Sequence, residues 1–270
     1  MTREDIINEL RNRGYKAEAQ NCVKNCVVFE GVRIENGSNI APVIYTEGFL
    51  QNAEKENLSL ETVVDAIEKV YESSKDFDFD FWEVFNDYFL ASHLFVGLQK
   101  SSDEEIIKRP SELEGIENYI YVRCREEGDY SASFKMTKGL LKILNMSEEE
   151  VWWLAESNTK AETDVKSLGK LLFGEEYEDD GERCPFYVIT NKSRIKGASA
   201  ILNRKAIEEV ARKYEVEKVV ILPSSIHEML IVPYTDEMSL DEFSAMVEAV
   251  NESQVAPEER LTNRAYIVTL

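Results

Sequence analysis

The chain is predicted to be α+β, with a mainly helical N-terminal part carrying short strands and a C-terminal β-α-β-β-α-β module built on an antiparallel sheet. Three observations predict this. Apolar residues recur at helical spacing behind Ser and Thr caps in the first two thirds of the chain, an acidic run at 174–183 interrupts the pattern, and strand-like and helix-like stretches then alternate. The 270 residues are 43% hydrophobic and 10% aromatic, ample for a packed core.

Ile6, Ile7 and Leu10 mark a short amphipathic helix stopped near Gly14, and β-like sequence follows over 19–34 and 40–45. Ser59 caps a helix with Val63, Val64, Ile67, Val70 and Tyr71 on one stripe. Residues 81–96 are apolar on almost every side and read as one central, buried helix that includes His93, after which the charged stretch 100–110 reads as a loop. Strands are expected over 116–123 and 130–134, joined through 126–129. Thr137 opens a helix ending near Leu144, and Ser147 with Glu150 opens another bearing Val151, Trp152 and Leu154. A third helical stretch is expected over 161–173.

The acidic run is the best linker in the chain. It places a domain boundary at 174–183, dividing a mixed N-terminal domain with an acidic surface (1–174) from a split β-α-β module (184–270). In that module strands are expected over 186–190, 218–222, 226–232 and 265–270, the middle two forming a hairpin through Pro223, Ser224 and Ser225. Helices are expected over 197–214 and behind the Ser239/Glu242 capping box, both on one face of one sheet.

The net charge of −21 repels nucleic-acid phosphates and the anionic cytoplasmic leaflet, so direct nucleic-acid binding is disfavoured and no membrane partner is expected. Cys22, Cys26, Cys124 and Cys184 form no C-x-x-C pair. The opening Met1-Thr2-Arg3-Glu4-Asp5 lacks the apolar run of a secretion signal, and the expectation is reduced thiols in a cytoplasmic protein. Cys22 and Cys26 fall in one strand-like stretch and are read as core residues rather than metal ligands.

Ser224, Ser225, His227 and Glu228 are the candidate catalytic residues, within a seven-residue string that holds one of only two histidines in the chain. If 226–232 is a strand, alternation sends His227 and Glu228 to opposite faces, with Glu228 in the more apolar register. A carboxylate there is either a tuned general acid or base or a structural acceptor of amides or cations. No G-x-S-x-G elbow presents either serine as a nucleophile. The one basic cluster in the acidic chain, with Asn191, Lys192, Arg194, Lys196 and Gly197, leads into an expected helix N-terminus and is a candidate small-anion site, with an exposed solvated loop as the alternative. Neither G-x-x-x-x-G-K nor G-x-G-x-x-G occurs, so no cofactor is expected. Asp76, Asp78 and Asp80 alternate with phenylalanines like half a calcium loop, but Phe81 replaces the required glycine and no metal site is assigned.

Thr190-Asn191, Gly197-Ala198, the string from Ile221 to Glu228, Glu248-Ala249-Val250-Asn251 and Glu258-Glu259-Arg260-Leu261 together resemble the signature of domain of unknown function 5688. Asn158-Thr159, after the Trp152-Trp153 helix, fits the same pattern. Thr262-Asn263 departs from it where a Ser-Asp-like pair is expected, and 161–164 lacks an expected proline. The resemblance implies a cytoplasmic protein of gut Firmicutes, sometimes associated with mobile elements and with no established reaction. It places Asn251 beside Asn191 as a candidate for a shared groove.

The leading expectation is a non-catalytic protein-interaction or regulatory module whose partner is another protein. The rival is an enzyme or small-anion sensor built on the Ser-Ser-Ile-His-Glu segment. A third reading is an acidic DNA mimic acting on a nucleic-acid enzyme.

Overall fold

A computed structural model describes all residues except 39, 76–79, 128–129, 175–184 and 236–237. The described chain is α+β, with its strands in three antiparallel sheets. By internal contacts it divides into two compact units, Met1–Phe81 and Trp82–Leu270. The expected linker at 174–183, Cys184, and the Asp76 and Asp78 of the calcium-like stretch fall outside the described residues, Gly174 apart.

In the first unit Thr2 and Asp5 form a reciprocal capping box that starts α1 (Arg3–Asn12). Strands β1 (Ala17–Lys24), β2 (Val27–Ile34) and β3 (Val43–Tyr45) form one sheet in that order. The stretch expected to be one continuous strand is therefore a hairpin, and Cys22 and Cys26 do not share a strand. Lys24 pairs with Val27, leaving Asn25 and Cys26 as a two-residue turn with φ of 47° and 66°, the left-handed pair that matches strand twist. Helices α2 (Glu47–Glu56) and α3 (Leu60–Ser74) come next, the latter capped by Ser59 as expected. Ile6, Leu10, Val32, Ile34, Val64 and Ile67 close the core of this unit.

The second unit begins differently from its sequence reading. Residues 81–96 are not one helix but a 3-10 turn (Phe81–Phe85), helix α4 (Asp87–His93) and the start of strand β4 (Leu94–Lys100). Trp82 and Tyr88 are 77% and 86% exposed, so apolar composition misled where no single face is buried. Strands β5 (Lys108–Pro110), β6 (Ile116–Glu127) and β7 (Tyr130–Lys135) complete a sheet ordered β4-β6-β5, with β7 also on β6. Helices α5 (Lys138–Leu144) and α6 (Glu148–Ala161) start at Thr137 and Ser147 as read.

The expected third helix is instead strand β8 (Thr163–Ser167) and then the short helix α7 (Leu168–Phe173). β8 pairs along its whole length with β9 (Tyr187–Asn191), so one sheet takes strands from both sides of the acidic run. The chain continues through a 3-10 helix (Gly197–Leu202), α8 (Arg204–Lys213), β10 (Lys218–Pro223), β11 (Met229–Pro233), α9 (Leu240–Gln254) and β12 (Tyr266–Thr269). Spatial order is β12-β10-β11-β9-β8.

β9 and β10 both run antiparallel to β11 between them, which is the expected split β-α-β. The two long helices, however, lie on opposite faces. Ile207 and Val210 of α8 pack with Val219 and Ile221, whereas Phe243 and Val247 of α9 pack with Val220 and Leu222. β10 is buried on both faces, and a strand apolar on both sides requires cover on both.

Candidate functional site

The signature string is a loop, not a strand. β10 ends at Pro223 and β11 starts at Met229, so Ser224 to Glu228 make the hairpin connection and the alternation expected over 226–232 does not apply to them. Ser225 N–H donates to Glu228 O at 3.1 Å, closing a tight turn, and Ser225 Oγ accepts the His227 amide at 3.0 Å. Glu228 is half-buried and lies outside the apolar register of β11. Ser224, also half-buried, stands at the start of the turn.

Three distant segments meet on this loop. Thr190 Oγ1 at the end of β9 donates to His227 O at 2.7 Å, Ala198 N–H donates to Ile226 O at 3.2 Å, and Ile226 N–H donates to Glu259 O at 2.8 Å. The imidazole is bonded at both nitrogens. Nδ1 accepts the Lys196 amide at 3.1 Å, which leaves the ring proton on Nε2, 3.3 Å from Glu259 Oε1. As general base, His227 would have to release one of these bonds.

Gly197 lies at the centre of this junction. A Cβ there would come within 2.3 Å of Thr190 Oγ1, 2.6 Å of Asn191 N and 2.7 Å of His227 O, closer than any real side chain is accommodated. The glycine is thus a requirement of close approach rather than of an unusual backbone angle.

The basic loop ahead of it has its amides bonded within the fold. Lys192 N–H donates to Glu162 O, Arg194 N–H to Asn191 O and Ile195 N–H to Ser193 Oγ, while buried Asn191 donates from Nδ2 to Ile195 O at 2.8 Å. Arg194 and Lys196 adopt φ of 58° and 54°, the left-handed region that folds the loop back on itself. Gly197 opens a 3-10 helix rather than the expected α-helix N-terminus. The Lys196 ammonium reaches Ser133 Oγ and stands over the Tyr121 ring at 4.6 Å. Lys192 and Arg194 are exposed.

Asn251 does not join them. It is 1% exposed and donates to Thr262 O at 3.1 Å and Asn263 Oδ1 at 2.8 Å, tying α9 to the segment that precedes β12. Asn158 donates to Ala91 O and Leu94 O at the end of α4, and Thr159 Oγ1 accepts the Val96 amide at 3.0 Å. The two asparagines therefore satisfy carbonyls other than those of the His227 loop.

A buried polar network went unread in the sequence. Glu117, 6% exposed on β6, accepts from Gln99 Nε2 at 2.8 Å, Ser102 Oγ at 2.7 Å and Lys108 Nζ at 3.3 Å. Burial pushes its carboxyl up, but these donors outweigh it and hold the group below the usual carboxylate range. Lys135 donates to Gln99 Oε1 at 2.7 Å and is also paired with Glu104. Gly97 makes room for the neighbouring Tyr119 ring, whose atoms would lie 2.5 Å from a Cβ there. No local pattern signals this cluster, because its members come from four strands and a loop. Among the described residues no group of three or more His, Cys, Asp or Glu side chains could hold a metal ion, and no helix is long and apolar enough to cross a membrane.

Fold and site together define an α+β protein in which a Thr-Asn, Gly-Ala and Ser-Ser-Ile-His-Glu pattern knits the end of one antiparallel sheet. The chain belongs to the family of unknown function DUF5688, whose match covers residues 2–268. No curated protein and no solved structure matches it.

Proposed function

We propose that the protein is a non-catalytic interaction or regulatory module that binds another protein in the bacterial cytoplasm, in some settings linked to mobile elements. The observation that carries this reading is the double commitment of His227. Both ring nitrogens are engaged in holding the 196 and 259 segments to the hairpin loop, which is a bracing role. The large exposed aromatics Trp82, Tyr88 and Trp153 support it, since such side chains are enriched at protein interfaces.

The experiment is native mass spectrometry and affinity capture with the full chain as bait. A stoichiometric partner complex or a self-associated form is expected; a protein that stays alone at every concentration tested removes the reading. Strongly salt-dependent capture of a nucleic-acid enzyme would instead mark the DNA-mimic alternative. The enzyme or anion-sensor alternative draws on exposed Lys192 and Arg194. It predicts that inorganic phosphate or sulfate stabilises the wild-type chain and not the Lys192→Ala/Arg194→Ala variant.

A further inference from the structure

We infer that the outer edge of β12 and the cleft beside it dock an extended acidic peptide segment, which adds to the five-stranded sheet as a sixth strand. This rests on the protein-interaction reading and specifies the partner's chemistry.

β12 is an end strand of its sheet. Its register sets Val268 opposite Val219 and Tyr266 opposite Ile221, and Leu270 N–H donates to Glu217 O at 3.1 Å. Bonded pairs recur at every second residue of an antiparallel ladder, so Tyr266, Val268 and Leu270 turn their backbone groups toward β10. Ile267 and Thr269 consequently turn theirs outward, where no strand of the described residues pairs with them. Such a row of donors and acceptors is a template for an added strand.

The edge opens onto a concave surface. A hollow of about 520 Å³ runs along it, lined by every residue from Arg264 to Thr269. It shares Glu114 and Arg264 with a second hollow of about 530 Å³, and Leu113, Arg204 and Val268 with a third of about 240 Å³. The smallest reaches inward over Leu113, Ile207 and Val268, a floor suited to an apolar side chain. Asn118 and Trp152 also line it, and their Oδ1 and Nε1 atoms are buried with no hydrogen-bond partner among the described residues. A buried polar group left without a partner is destabilising until it is satisfied.

Charge selects the partner. The three hollows are lined by Lys100, Arg109, Arg204, Arg260 and Arg264 against the carboxylates Glu112, Glu114 and Glu156, a cationic excess in a chain of net charge −21. Arg204 pairs with Glu112 at 2.9 Å and Arg264 with Glu114 at 2.8 Å, and both glutamates are about four-fifths exposed. Ion pairs this exposed are weak, so partner carboxylates exchange into them readily.

The test uses the folded full-length chain and a fluorescein-labelled peptide of alternating Glu and Val, about seven residues long to span the edge at roughly 3.4 Å per residue. Anisotropy at about 0.15 M salt reads binding, and amide exchange reads its position. Binding is expected with protection of the Ile267 and Thr269 amides. Thr269→Pro deletes one outward N–H without touching the bonds to β10, and Arg204→Glu/Arg264→Glu reverses the charge. Each is expected to weaken binding by about tenfold or more, and a Lys-Val peptide is expected not to bind. Circular dichroism confirms that each variant is folded, and either variant alone suffices. Absence of peptide binding, affinity unchanged in a folded variant, or protection confined to other amides overturns the assignment. A protein partner found in native spectra that binds Thr269→Pro as tightly as wild type leaves the interaction reading standing while the edge assignment falls.

Discussion

Gly197→Ala is the sharpest single perturbation of the signature junction. The added methyl would overlap the Thr190 hydroxyl at 2.3 Å and two groups of backbone, Asn191 N at 2.6 Å and His227 O at 2.7 Å, none of which is the far end of a flexible side chain. Relief requires the 196–198 segment to separate from β9 and from the hairpin loop. That movement lengthens the 2.7 Å bond from Thr190 to His227 O and the 3.1 Å bond from Lys196 N–H to His227 Nδ1. Overpacking of this kind costs about 1–3 kcal/mol, and each hydrogen bond weakened adds roughly 0.5–1.5 kcal/mol. The expected loss is about 2–6 kcal/mol, a large part of the stability of an ordinary domain. Urea unfolding monitored by circular dichroism reads it as a lowered midpoint at unchanged slope. Gly139→Ala is the control: it lies in α5 with nothing nearer than Thr137 Oγ1 at 3.8 Å, and a helical Gly-to-Ala exchange is expected to stabilise by about 0.5–1 kcal/mol. If Gly197→Ala stays within about 0.5 kcal/mol of wild type, the account of this junction is refuted.

Three further outcomes rest on the same geometry. His227→Asn, whose Oδ1 can replace the Nδ1 acceptor, is expected to retain more stability than His227→Leu, which leaves the Lys196 amide without its partner at a cost of about 1–3 kcal/mol; equal urea midpoints for the two would contradict this. Because Glu117 is held below the usual carboxylate range, its contribution is complete above that range and disappears as pH falls through its folded-state value. Glu117→Gln is therefore expected to lose about 2–3 kcal/mol at pH 7 and to converge on wild type in acid, and a pH-independent difference would speak against the ionised network. Burial raises the Cys124 thiol to about 11, whereas Cys26 is exposed at a hairpin turn. Iodoacetamide labelling read by mass spectrometry is expected to modify Cys26 first at pH 8, and equal rates would show that Cys124 is not shielded as described.

The sequence was most legible where local chemistry settles the structure. Caps at Ser59, Thr137, Ser147 and Ser239 each start a helix within a residue of expectation, because a side-chain oxygen beside free amides is a nearest-neighbour effect. It was least legible where pairing overrides propensity. Thr163 to Ser167 carries no strand signal strong enough to break the helical pattern around it, yet it is extended because β9 offers it a free edge. The reading of His227 and Glu228 as opposed strand residues failed for a related reason. Nothing in Ser-Ser-Ile-His-Glu states that the ladder stops at Pro223 and resumes at Met229; that depends on the length of pairing β10 and β11 achieve.

Composition, caps and apolar periodicity by themselves determined an acidic α+β chain with a split β-α-β and the positions of most of its helices. The tertiary structure alone decided that α8 and α9 cover opposite faces and that Thr190, Lys196, Gly197, His227 and Glu259 meet at one junction. It alone made β12 an end strand of its sheet among the described residues, beside a cationic cleft. The physical reason is separation along the chain: bonds between residues 31 to 37 positions apart are set by strand order and register, which are properties of the whole sheet rather than of any window of sequence.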